Sequence, residues 1–326
     1  MSVLARHRIL LGVVAIVLVL LGGGGFVAWT AAKNNRVQAA SSPPARDGLL
    51  FVDLEGYQGQ VDQVSLADPT GPRTPTSLKC QRVYAAAGTT VCLRLAGLGP
   101  QYEAAVLDAG GEVVRTVALP GTPSRARVSA SGKVISWTTF VTGDSYSVPG
   151  GFSTRTGVLN LATGELIESL EHFTSTVSGQ VMTAPDINYW GVTVASDDRT
   201  FYATLATAGR TWLMKGDLAA RTMTDIRQTA ECPSLSPDGT KVAYKKRTAR
   251  TGPWALAVAD LAGGKEIVID GTVGIDDQAV WLDDRTLAYA ATRGDEKRSS
   301  IYRVPADGSA APELLIAAAA SPVPVR

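Results

Sequence analysis

The chain has 326 residues and a formal net charge of +1, with 19% charged residues, room for one large domain and a short appendage. A near-neutral balance with ordinary aromatic content offers no electrostatic footprint for a nucleic acid. Glycine at 33 and proline at 17 fit a chain full of turns, and helical patterning beyond the N-terminus is hard to find, which favours an all-β domain.

Residues 1–8 form a short tail carrying Arg6 and Arg8. The uncharged run from Ile9 to Ala32 is long enough to cross a hydrocarbon core as a helix, so it is expected to be a transmembrane anchor. Val37 and Ala39 offer small residues for the alternative, a cleaved signal peptide, but they lie well beyond the apolar run. The anchor is the preferred reading. It makes a single-pass membrane protein with the rest of the chain on the extracytoplasmic side. Residues 33–46, with Ser41, Ser42, Pro43 and Pro44, have linker composition.

From residue 47 to 326 the chain repeats a hairpin. Its copies are AAAGTTVCL from Ala85, SASGKVISW from Ser129, ASDDRTFYA from Ala195, SPDGTKVAY from Ser236 and WLDDRTLAY from Trp281. Each puts small or turn-forming residues before a basic or Thr residue and an apolar pair. The turn position falls at Gly88, Gly132, Asp198, Gly239 and Asp284, in steps of 44, 66, 41 and 45 residues. A period of roughly 40–45 residues without helical pattern is the spacing of a four-stranded propeller blade. The SPDGTKVAY copy resembles the hairpin of TolB-like β-propellers, whose WD-like repeats also occur in prolyl-oligopeptidase-type proteases. That resemblance implies architecture more firmly than activity.

Gly48 to Glu55 and Gln60 to Asp68 read as two strands with no hairpin copy before them, so they need an inner strand from elsewhere. The C-terminal ASPVPVR can supply it. Pro322 and Pro324 are two apart, so their missing N–H groups face one side, which an innermost strand can turn to the central channel. Five copies and this shared blade predict an all-β, six-bladed propeller of four-stranded blades behind one transmembrane helix.

Cys80 and Cys92 are symmetric about Ala86, so a turn over Ala85 to Gly88 would set their sulfurs on facing strands. A disulfide is then expected, in keeping with an oxidising compartment, with two buried thiols as the alternative. Cys232 is expected to fill a blade core.

The turns between first and second strands are short, whereas the irregular segments Phe140 to Gly157, Arg247 to Pro253 and Arg293 to Ser300 fall between second and third strands. The connection from His172 to Asn188 joins them on that face, which is therefore expected to bind. Its candidate residues are Asp144, Tyr146, Phe152 and Arg155 in the longest loop, Tyr189 and Trp190 at the start of an inner strand, and the acids Glu231, Asp276 and Asp277, which register together and could ring the channel mouth. Self-packing of the loop, blade packing of the aromatics and solvated acids are the plainer readings of each group.

Catalysis finds little support. The chain has only His7 and His172, no Gly-x-Ser-x-Gly elbow, and too few His and Cys for a nitrogen- or sulfur-ligated metal centre; no cofactor motif and no metal site are expected. The expected function is non-enzymatic: a binding or scaffold propeller for proteins of the bacterial cell envelope. The alternative is an extracytoplasmic carbohydrate- or peptide-processing enzyme built on carboxylates.

Overall fold

The structure is a computed structural model and describes residues 13–26, 48–56, 59–97, 99–141, 153–249 and 252–325. Among the described residues six sheets stand around a central channel, antiparallel throughout except for one added strand in the fourth. Blades 2, 3, 5 and 6 run outward from innermost strands Arg82–Ala86, Thr122–Val128, Glu231–Leu235 and Val280–Trp281, and each has four strands. The expected hairpins are all first-to-second strand turns. Gly88, Gly132, Asp198 and Gly239 have φ of 79°, 77°, 55° and 71°, the left-handed region that such turns need. Asp284 is not left-handed; its neighbour Asp283 holds that turn by accepting from the backbone N–H groups of Arg285 and Thr286, both at 2.7 Å.

Blade 1 closes the ring by joining both ends of the domain: Ala319–Val325 is innermost and pairs with Gly48–Asp53, followed by Gln60–Ser65 and Thr74–Lys79. Pro322 and Pro324 line the channel, the side on which no ladder partner is lost. A polar clip reinforces the closure, since Arg73 donates to Asp53 Oδ1 and to the Ala317 carbonyl oxygen, both at 2.5 Å.

Blade 4 departs from the four-stranded plan. Its strands Asn188–Val194, Thr200–Thr207, Arg210–Asp217 and Thr222–Gln228 are extended by Thr174–Val177, which runs parallel to the outermost strand, and by Gln180–Val181. Much of the connection from His172 to Asn188 is thus an outer hairpin that covers a sheet edge, and it contributes with the loop after Val141 to the 66-residue step. Phe173 and Val177 from this segment bury against Phe201 and Met223 in the blade core.

The disulfide between Cys80 and Cys92 forms, with a Cα–Cα distance of 5.3 Å, but not by the expected register. The hairpin pairs Val83 with Cys92 and Ala86 with Thr89, so its turn is centred one to two residues beyond Ala86. Cys80 instead lies on the connection from blade 1, where its N–H donates to the Gly59 carbonyl at 2.7 Å. The bond therefore ties the outer strand of blade 1 to the second strand of blade 2.

Residues 13–26 form a helix whose side chains are all exposed. At about 1.5 Å rise per residue it is about 21 Å long, short of the roughly 30 Å of a hydrocarbon core. Among the described residues no helix is long and apolar enough to cross a membrane. The ends of the expected anchor, its tail and the linker lie outside the described residues.

Asp62 is buried in the third-from-channel strand of blade 1 without a hydrogen-bond partner for Oδ1. Burial and the neighbouring Asp53 carboxylate, partly offset by Arg73, push its carboxyl up to about 6. A carboxyl raised in the folded state favours the protonated form, so its charge weakens the fold as pH rises from about 4 through 6. Asp62→Asn should therefore leave the urea midpoint unchanged near pH 4 and raise stability by roughly 2 kcal/mol at pH 7. Removing Ser321 to Arg326 should cost roughly 5 kcal/mol or more in the same assay, because the ladder and the buried Val323 go with them.

Candidate functional site

The channel is built from the innermost strands, and its two mouths differ. Towards the face of the second-to-third strand loops, these strands bulge. The register slips between Pro123 and Arg125 in blade 3, Trp190 and Thr193 in blade 4, and Glu231 and Ser234 in blade 5. Gly191, Cys232 and Ser321 sit in the left-handed region at φ of 68°, 53° and 53°. A Cβ on Gly191 would lie 2.7 Å from the Cys232 Cα, so the glycine lets blades 4 and 5 approach where both strands bend. Cys232 is buried there, its N–H donating to Thr204 Oγ1 at 2.8 Å.

Three arginines fill the pinched end. Arg82 Nε donates to the Ser124 carbonyl at 2.7 Å, Arg125 Nη2 to the Asp276 carbonyl at 3.0 Å, and Arg127 Nη2 to the Ala279 carbonyl at 2.6 Å. Burial lowers the pKa of Arg82 and Arg127; at Arg125, Cys232, Asp277 and Asp276 outweigh burial and raise it. The void left among these side chains is about 10 Å³, no more than one water.

The candidate acids come to this mouth and are already engaged. Glu231 is buried, accepts from Trp254 Nε1 at 2.8 Å and lies 3.5 Å from Arg247. Asp276 is 73% exposed, 2.7 Å from Lys245 Nζ and 3.7 Å from Arg125. Desolvation at the mouth opposes the Asp276 charge, but Lys245, Arg125 and Arg82 hold its carboxyl below the ordinary value. Asp277 caps the Gln278 N–H at 2.9 Å. They are tied to separate bases and donors rather than to one centre. Among the described residues no group of three or more His, Cys, Asp or Glu could hold a metal ion.

The bases Lys245 and Arg247, on the second strand of blade 5, are structural as well. Lys245 is buried, with its ammonium 4.2 Å from the Trp254 ring centroid, and Arg247 stacks on the same indole at 4.0 Å. Tyr189 is not at the surface: it is 3% exposed, and its hydroxyl is 2.7 Å from Ser175 Oγ inside blade 4. Trp190 and Arg155 are half-buried. Asp144, Tyr146 and Phe152 lie outside the described residues.

The opposite mouth, rimmed by the short turns, opens into a cavity of about 600 Å³. Tyr84, Arg127, Asp197, Tyr202, Trp281 and Pro324 line it. Sequence reasoning pointed to the other face because it weighed loop length. The available signal was the spacing of Arg125 and Arg127 on one innermost strand, which sends both side chains to the same side.

This geometry has known counterparts. Aligned with TolB from Acinetobacter baumannii, the chain gives a TM-score of 0.59 at 16% identity, over 86% of its own length and 67% of that chain. The fold is TolB-like. A structure of a nidogen/laminin complex aligns at 0.56 and 10% identity over 85% and 97% of the two chains. An oligogalacturonate lyase in complex with manganese gives 0.50 and 12% over 79% and 73%. No protein-family model and no curated protein sequence matches the chain. Identities this low carry the fold alone.

Lys245→Ala should destabilise the domain by roughly 1–3 kcal/mol, mostly through lost packing and the cation–π contact, since the Asp276 partner is exposed. Lys245→Met keeps the stem and should recover about half of that in urea unfolding. Equal losses would assign the whole effect to charge.

Proposed function

We propose that the chain is a non-enzymatic binding propeller, held at the outer side of a bacterial cytoplasmic membrane by its N-terminal segment and docking envelope proteins through its loop face. The observation that carries this reading is the state of the acids at that face. Glu231 and Asp276 are bound to Trp254, Arg247, Lys245 and Arg125, so their lone pairs are committed to the fold rather than to a substrate. A carboxylate-based enzyme would need two acids facing a common space.

The same face carries features suited to a protein partner. Phe140 is 44% exposed at the end of the second strand of blade 3, next to the long loop. Trp254 is clamped between two cations and a carboxylate, a rigid aromatic with a polar rim. Two further observations support the placement. The Cys80–Cys92 disulfide fits an oxidising compartment. The helix at residues 13–26 is uncharged and exposed on all sides, including Ile16, Leu18, Leu20 and Leu21, so water is a poor surrounding for it.

The test is an in-cell crosslinking pull-down of the full chain against two variants: Phe140→Asp, and residues 142–152 replaced by a short Gly-Ser linker. One envelope protein should be captured by the wild type and lost at least about tenfold in both variants. Recovery of no protein from any of the three would reject the scaffold reading, as would undiminished capture by both variants.

A further inference from the structure

The charges in the channel do not balance. Arg82, Arg125, Arg127 and Lys245 face Asp276 and Asp277, and Asp276 is already the partner of Lys245. Arg127 is the outlying member. Among the described residues it has, like Arg82, no carboxylate within ion-pair distance, and its charge is met by the Tyr84 ring at 4.6 Å and by the carbonyl oxygens of Gln278 and Ala279, at 3.2 and 2.6 Å from Nη2. Its Nε and Nη1 have no hydrogen-bond partner among the described residues and are not fully buried, although the residue as a whole is only 8% exposed. Three N–H donors of a desolvated cation, one on Nε and two on Nη1, thus remain on a side chain that lines the cavity on the turn face.

The walls repeat the pattern. Neither the Tyr84 nor the Tyr202 hydroxyl has a hydrogen-bond partner among the described residues, and both side chains line the cavity. Trp281 is fixed by its own N–H, which donates to the Ser234 carbonyl at 2.9 Å, and it supplies an apolar surface with Pro324. The turns that form the rim are braced to one another. Ser131 donates to Asp198 across blades 3 and 4 at 2.7 Å, and the Asp238 N–H donates to Asp284 across blades 5 and 6 at 3.1 Å. A cavity with a braced rim and uncommitted donors among its lining residues is preorganised for a ligand.

The charge on the lining selects the ligand. Asp197 is the other charged residue there, held as a carboxylate by the N–H groups of Arg199 and Thr200 and by the Thr200 hydroxyl, which outweigh desolvation. One free cation beside one committed anion matches a monoanion and penalises a dianion. We propose that the turn-face cavity binds a small organic carboxylate, with its carboxylate on Arg127 Nε and Nη1 and its apolar body against Trp281, Tyr202 and Pro324. This site is on the opposite mouth from the protein-docking face and does not depend on that assignment.

Calorimetric titration of the full chain in detergent tests it with a matched pair, N-acetyl-L-tryptophan and its uncharged amide, and with inorganic phosphate as a simple anion. The acid should bind with one site per chain, and the amide and phosphate at least about tenfold more weakly. Arg127→Gln should lose the acid by a similar factor. Should that variant not fold, the paired Tyr84→Phe and Tyr202→Phe changes, which delete only hydroxyls, should weaken the acid about threefold or more while leaving the amide unchanged. Equal binding of acid and amide, equal binding of phosphate, no heat from the acid at millimolar concentration, or indifference to these substitutions would each overturn the proposal and leave water as the occupant.

Discussion

A ring of sheets has free edges until its first and last strands meet, and here that meeting is one antiparallel ladder between Gly48–Asp53 and Ala319–Val325. The four-stranded cores of the other blades are built from consecutive strands, whereas this one joins residues more than 260 apart and carries the entropy of the whole closure. The sequence invests accordingly. Leu49, Leu50, Phe51 and Val323 are almost completely buried, Arg73 bridges to the connection before the closing strand, and the disulfide fixes the next junction along the ring. Asp62 and Gln60, with buried oxygens left unpartnered in the same strand, show that the closing blade is not optimised throughout.

Once the ring is closed, the bends of the innermost strands decide what the channel can do. Straight strands would leave a bore of even width. The bulges at Gly191, Cys232 and Ser321 turn the backbone inward at the loop face, where peptide carbonyls from Gln278 and Ala279 point into the channel and arginines reach them. Two of those three residues are not glycine, so the bends cost strain that the surrounding packing has to hold in place. The opposite half lacks these bends, and the space there persists as the cavity.

Much of this architecture is legible in the residues. The turn positions announce five blades, and the two prolines of ASPVPVR announce the sixth, because each signal is a local backbone requirement that few residues meet. The failures share a different cause. Cys80 was placed by symmetry about an assumed turn, and a shift of one or two residues in that turn moves it from a facing strand to an inter-blade connection. The outer hairpin of blade 4 pairs in parallel with a strand far along the chain, and nothing in TSTV or QV specifies that edge. The engagement of Glu231 and Asp276 depends on Trp254, Lys245 and Arg125, which come from other strands.

The arginine plug separates the two mouths of the channel. A guanidinium buried against carbonyl oxygens is tolerable because its five N–H donors give it several chances of an acceptor. Arg125 sits where Asp276, Asp277 and Ser124 crowd around it, deep in the pinch, although its buried Nε has no partner among the described residues. Arg127, two residues further along the same strand, stands at the edge of the pinch and keeps the three N–H donors of Nε and Nη1 without a partner among the described residues. The same strand thus seals one mouth and leaves the other with an unmet demand for an acceptor. Sealing removes the channel from the loop face and leaves that face a surface, on which contact area and side-chain chemistry matter. The turn face, by contrast, holds a cavity, and Arg127 is the cation among the residues that line it.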